Sequence, residues 1–231
     1  MRAALGAGGT IGLAAWVAPA PAAHVPLLCD VLGIARRLDL GSGAVGLTFD
    51  DGPHRLGTPA VLDALAVAGA RATFFVVGEQ VRRDPGIVRE VAAAGHRLAV
   101  HGDRHRPLTL VGPRALRADL DRCAALVAEL GGRPPERYRP PYGVFTPAAL
   151  LEARRRGWTP LLWSAWGCDW RARATAASIA TRATRAVGGG DVVLLHDADH
   201  YSAPQSWRAT AAALPRILDE LGARGLRAVA V

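Results

Sequence analysis

The sequence predicts an α/β fold in which a parallel sheet, open or barrel-like, is covered by helices. Three observations carry this prediction. From about residue 44 to the end of the 231-residue chain, short apolar runs alternate with helical stretches, the βαβα order that builds parallel sheets. Several runs are apolar almost throughout, such as "ATFFVVG" (72–78) and "DVVLLHD" (191–197), as strands buried on both faces are. Acids and histidines collect at the C-terminal ends of the runs, the face on which parallel barrels build their sites.

Each element has its own signal. "VGLTF" (45–49) alternates Val45, Leu47 and Phe49 on one face and reads as a strand. "TPAVLDALAVAG" (58–69) reads as a helix ended by Gly69, and 72–78 as a strand. "DPGIVREVAAAGH" (84–96) is a helix with Asp84 as N-cap and Pro85 at its first position. "RLAVH" (97–101) is a strand. The stretch 113–132 is a long amphipathic helix closed by Gly131 and Gly132, with Leu116, Leu120, Cys123, Val127 and Leu130 on one stripe. A helix over 146–157, a strand over 159–164, a helix over 177–190 and a strand over 191–197 follow. The last helix, about 205–222, contains Pro215 and is expected to kink there. "LRAVAV" closes the chain as a strand.

Composition bounds the function. The chain is 50% hydrophobic and 21% charged, which suits one domain with a real core and excludes global disorder. The net charge is +8 and the 28 basic residues are all arginine. They are scattered, without aromatic interleaving or a nucleic-acid motif, so no nucleic-acid partner is expected; attraction to an anionic cell-wall polymer fits the charge equally well. Three cysteines, Cys29, Cys123 and Cys168, have no CxxC spacing, which argues against a disulfide framework or a cysteine zinc site. Residues 1–43 are read as an N-terminal extension and 44–231 as the functional domain. The first 24 residues, uncharged after Arg2 and ending Ala-Pro-rich, read as a weak signal peptide or short membrane anchor, with a loosely packed extension as the alternative. Secretion or envelope attachment and a cytoplasmic location both stay open.

The polar chemistry falls in four stretches. Asp50 and Asp51 end the first strand, His101 ends another with His105 four residues on, Asp169 follows 159–164, and His196 ends "DVVLLH". Imidazole nitrogens and a carboxylate oxygen suit Zn²⁺ and related divalent ions. Two histidines and one carboxylate leave a position open for water, whose pKa a bound metal lowers, and the second carboxylate of the Asp-Asp pair can take its proton. Each signal has a plainer reading: HxxxH as a surface feature, Asp-Asp-Gly-Pro as a turn, His196 as a core histidine.

As a set, "TFDDGP" (48–53), "HGDRH" (101–105), "RYRPPYG" (137–143), "CDW" (168–170) and "LLHD" (194–197) resemble the polysaccharide deacetylases of the NodB-homology type, carbohydrate esterase family 4. The resemblance covers residues from about 44 to 231. It implies a distorted (β/α) barrel and a hydrolase that removes N-acetyl groups from a sugar or polysaccharide, using one divalent metal, Zn²⁺ or else Co²⁺ or Ni²⁺. It implies Asp50 as general base, Asp51, His101 and His105 as metal ligands, and Arg139 holding the Asp50 carboxylate. The peptide N–H of Tyr142 would stabilise the oxyanion. His196 would be the general acid, oriented by Asp169, with Trp170 and Leu194 walling an acetyl pocket. The partner would be an acetylated glycan, with peripheral membrane or cell-wall association compatible, and the protein a monomer. His54, His96 and His200 are read as surface or loop residues.

Two positions depart from the family. Gly102 stands where a Ser or Thr hydroxyl usually braces the histidine loop, and its absence is expected to weaken metal binding. Trp166 stands where many members have another Asp, and stacking on a sugar ring is expected of it. An O-acetyl esterase or non-sugar amide hydrolase would use the same site, and a glycan-binding module without catalysis is the rival from another class.

Overall fold

The strand β1 (Ala44–Asp50) is the centre of the molecule, and all seven of its residues are buried. It lies between β2 (Thr73–Val77) and β7 (Val192–His196), parallel to both. In this computed structural model, which describes residues 25–231, β3 (Arg97–Gly102), β4 (Arg137–Tyr138) and β5 (Thr159–Pro160) continue outward from β2, and β6 (Ala165–Trp166) flanks β7. The short β8 (Arg227–Val229) pairs with the start of β1. Every pair is parallel, which is why β1, β2 and β7 are apolar without alternation.

Among the described residues, eight α-helices connect and cover the sheet: α1 (Pro26–Leu32), α2 (Gly57–Val67), α3 (Gly78–Arg83), α4 (Pro85–Ala93), α5 (Pro113–Gly131), α6 (Pro147–Arg155), α7 (Ala176–Thr184) and α8 (Ser206–Ala223). The stripe expected on α5 is the buried one: Leu116, Leu120, Cys123, Val127 and Leu130 all face the core, each large aliphatic contributing roughly 1.5–3 kcal/mol of burial. Gly132 ends α5 in the left-handed conformation. The three cysteines are buried and form no disulfide. No helix among the described residues is long and apolar enough to cross a membrane, and the segment read as signal peptide or anchor lies outside the described residues.

Several expectations are corrected. The strand expected over 159–164 is two short strands at opposite edges of the sheet. Thr159 and Pro160 pair with β4, whereas Ala165 and Trp166 pair with β7. Residues 161–164 cross the seam between the edges and curl the sheet into a partial barrel. The carbonyls freed there are taken by an arginine: Arg139 Nε donates to Leu161 O at 3.1 Å and Nη2 to Leu162 O at 2.9 Å. The segment before β1 is not a detached extension from Val25 onward. Cys29 and Ile34 are in the core, Ala35 bridges to Leu161 and Arg37 to Asp191, so this stretch fills the same seam. Asp84 precedes α4 but makes no side-chain cap. The helix expected over 177–190 ends at Thr184, before the Gly188-Gly189-Gly190 turn. The last helix runs through Pro215 as one element. The elements α1, α3, β4 and β6 carry too few residues to show a period.

Candidate active site

Register brings the polar groups together. Asp50 of β1 pairs with His196 of β7, so the two come level at the C-terminal ends of adjacent strands. The β2–β3 register jumps from Val76–Val100 to Val77–Gly102, and the residue passed over is His101. Asp51 then leaves the strand in the left-handed region, with φ of 78°. Its side chain therefore turns to the same rim as Asp50 instead of the opposite face, which strand alternation would dictate. Gly52 follows because a Cβ there would overlap the Asp197 carboxylate.

The carboxylate oxygen Asp51 Oδ1 lies 3.3 Å from His101 Nε2 and 3.2 Å from His105 Nε2. It is buried and has no hydrogen-bond partner. His101 Nδ1 lies 2.8 Å from the Arg139 carbonyl, which accepts its N–H and leaves Nε2 with its lone pair toward Asp51. Donor atoms of Asp51, His101 and His105 all lie within 4.8 Å of one another. An unpartnered buried oxygen facing two imidazole nitrogens is the donor set of a divalent metal centre, so these residues fit the ion the motifs imply.

Asp50 is held from the opposite side. Arg139, with no exposed surface, donates from Nη1 to Asp50 Oδ1 at 2.6 Å and to Thr48 Oγ1 at 3.0 Å. Its guanidinium also lies over the Phe75 ring, 4.1 Å from the centroid. Asp50 Oδ2 is thereby left toward the metal triad, 3.8 Å from His101 Nε2.

His196 closes the third side. Its Nδ1 lies 2.9 Å from Asp169 Oδ1, while Asp169 Oδ2 accepts the His196 peptide N–H at 2.7 Å and the Thr210 hydroxyl at 2.8 Å. Burial would lower the His196 pKa, but Asp169 and its hydrogen bond push it up to about 10. The folded value lies above the ordinary 6.5, so the pair's stabilisation is complete below about 6.5 and is lost as pH rises through about 10. Thermal melts should therefore show wild type losing stability against Asp169→Asn across that window. Parallel curves from pH 6 to 10 would refute the coupling.

Asp50, Asp51, His101, His105 and His196 line one cavity of about 430 Å³, together with Tyr142, Leu194 and an aromatic wall of Trp163, Trp166 and Trp170. Trp170 meets the His196 ring edge-on with centroids 5.5 Å apart, and Trp166 lies between Trp163 and Trp170. Tyr142 adopts φ of 61° at the rim and is 56% exposed. Eight of the ten residues singled out for the site line it, and Arg139 and Asp169 lie buried behind Asp50 and His196.

Sequence reasoning missed others. Thr48 and Thr210 brace Arg139 and Asp169, and Asp197 buttresses the Asp-Asp-Gly turn with Thr58 bonded to its carboxylate. Burial raises the Asp197 pKa to about 7 against that bond. The other three histidines lie in loops or turns, as expected, with His200 exposed, yet each is engaged. His96 is buried, accepts the Ala72 N–H at Nδ1, and is pushed down to about 4 by burial and then Arg71. His54 accepts the Gly57 N–H at 2.8 Å and packs against His200 and Trp207. His200 reaches the Pro53 carbonyl.

A family model described as polysaccharide deacetylase matches residues 38–161. A peptidoglycan-N-acetylglucosamine deacetylase of Bacillus cereus is 36% identical over 190 residues, covering 81% of this chain and 85% of that protein. A chitooligosaccharide deacetylase of Sinorhizobium fredii is 33% identical over 202 residues, covering 85% and 94%. The solved structure of a family 4 acetyl xylan esterase from Clostridium thermocellum, in complex with a cobalt ion, superposes with a TM-score of 0.72 at 28% identity over 81% of this chain and 87% of that one.

Proposed function

The chain belongs to the polysaccharide deacetylase family, the family 4 carbohydrate esterases, and from that premise we propose that it is a metal-dependent hydrolase removing N-acetyl groups from an acetylated glycan. The observation that carries the reading is the pairing of a three-donor centre, Asp51, His101 and His105, with Asp50 on one side of it and His196 on the other. Asp51, His101 and His105 would hold the ion, and their N,N,O donor set favours Zn²⁺.

When bound, the ion would polarise the acetamide carbonyl and lower the pKa of a water. Asp50 takes the proton of the attacking water on Oδ2, the oxygen that Arg139 does not occupy. The water oxygen bonds to the acetyl carbon, and the peptide N–H of Tyr142 receives the developing oxyanion. As the C–N bond breaks, His196 passes a proton to the departing amine, and Asp169 supports its charged form. Acetate is the other product. Trp170 and Leu194 form the apolar wall against which the acetyl methyl packs.

The names of the two relatives support N-acetylated glycans as substrates. A second reading, O-deacetylation, is favoured by the esterase name of the structural neighbour, since an ester carbonyl meets the same groups. Mass spectrometry on a panel of chitooligosaccharides, peptidoglycan fragments and acetylated xylan separates the two. Loss of acetyl from the N-acetylated members is expected. Loss only from xylan would make the protein an esterase, and binding without any loss would make it a glycan-binding module.

A further inference from the structure

The two histidines of the metal triad are held differently. His101 has a hydrogen bond on its far nitrogen, to the Arg139 carbonyl. His105 has none: its Nδ1 is buried and lacks any partner. Nor can the residue after His101 supply one. Gly102 has no side chain, its φ is 112°, and a Cβ there would lie 3.2 Å from Asp119 Oδ2. Metal-binding histidines ordinarily owe their orientation to the partner on the other nitrogen, so something else must fix this ring.

What touches the ring is aromatic. Tyr201 lies parallel to it, centroids 4.1 Å apart and planes 9° apart, and Tyr142 meets it edge-on at 4.6 Å. Tyr201 is itself fixed: its hydroxyl donates to Glu79 Oε1 at 2.6 Å and accepts from Gln80 Nε2 at 2.8 Å. Both partners sit on α3, whose Glu79 N–H also bonds the Asp103 carbonyl inside the histidine loop. The loop after β7 and the helix after β2 thus clamp the loop after β3.

We propose that Tyr201 is the positioning residue for His105, its stacked ring replacing the hydrogen bond that the ligand lacks. The proposal rests on the metal-centre reading above, and its test separates the two. Co²⁺ and Zn²⁺ affinities are measured on the full chain by competition with a chromophoric chelator, with Co²⁺ absorption as a second readout. Tyr201→Leu is expected to weaken binding by about tenfold or more, the scale on which lost orienting contacts act, and to alter the Co²⁺ spectrum. Tyr201→Phe, which keeps the ring, should stay near wild type. If Tyr201→Leu shows no cooperative melt, Tyr201→Met takes its place with the same expectation. Equal affinity in wild type and the aliphatic variant overturns the proposal and leaves the metal centre standing, as does an equal loss in Tyr201→Phe. A wild type that binds neither ion overturns both.

Discussion

Asp50→Asn should cut acetate release by about 10²–10⁴-fold, the range a positioned general base contributes, while Co²⁺ binding persists. The side chain keeps its shape and its acceptor toward Arg139 Nη1, but an amide oxygen does not take up a proton at neutral pH. The variant also leaves Asp51, His101 and His105 untouched, so retained metal separates loss of the base from loss of the centre. Activity within about tenfold of wild type would move the base elsewhere, since tenfold is only about 1.4 kcal/mol of barrier.

Arg139→Met should produce the largest loss of stability. The guanidinium is wholly buried and satisfies Asp50, Thr48 and the carbonyls of Leu161 and Leu162 at once. Removing it strands a buried carboxylate, which typically costs about 3–5 kcal/mol, and frees two carbonyls at the point where the chain crosses the barrel seam. Chemical denaturation should show this loss. Arg139→Lys should recover only part of it, because an ammonium lacks the planar fork. A methionine variant as stable as wild type would mean that the seam and Asp50 are held by something other than this side chain.

The central strands were legible as short apolar runs, and the long helix because its residues obey one period over its whole length. Val45, Leu47 and Phe49 are buried, but so are the residues between them, and the stripe through Cys123 lies where a 3.6-residue repeat puts it. The ten site residues were legible by resemblance to a motif set, and by the plainer fact that parallel strands deliver their last residues to one face. The crossing at 161–164 was not, because an apolar run reads the same whether it pairs along its length or leaps between edges. What decides it is Arg139, more than twenty residues away. Tyr201 was invisible for a similar reason. A tyrosine in a loop carries no period, and its contact with His105 exists only because the loops after β3 and β7 meet. The left-handed turn at Asp51 was open to sequence only in outline: two adjacent acids at a strand end required a bend to share one site, but the backbone angle came from the fold.

Acetate release from an N-acetylglucosamine oligomer, followed in metal-stripped and reloaded wild-type protein, tests the central claim most directly. The stripped chain should be inactive, and Zn²⁺ or Co²⁺ should restore release with one ion bound per chain. Undiminished release from protein shown to be free of metal would contradict the account.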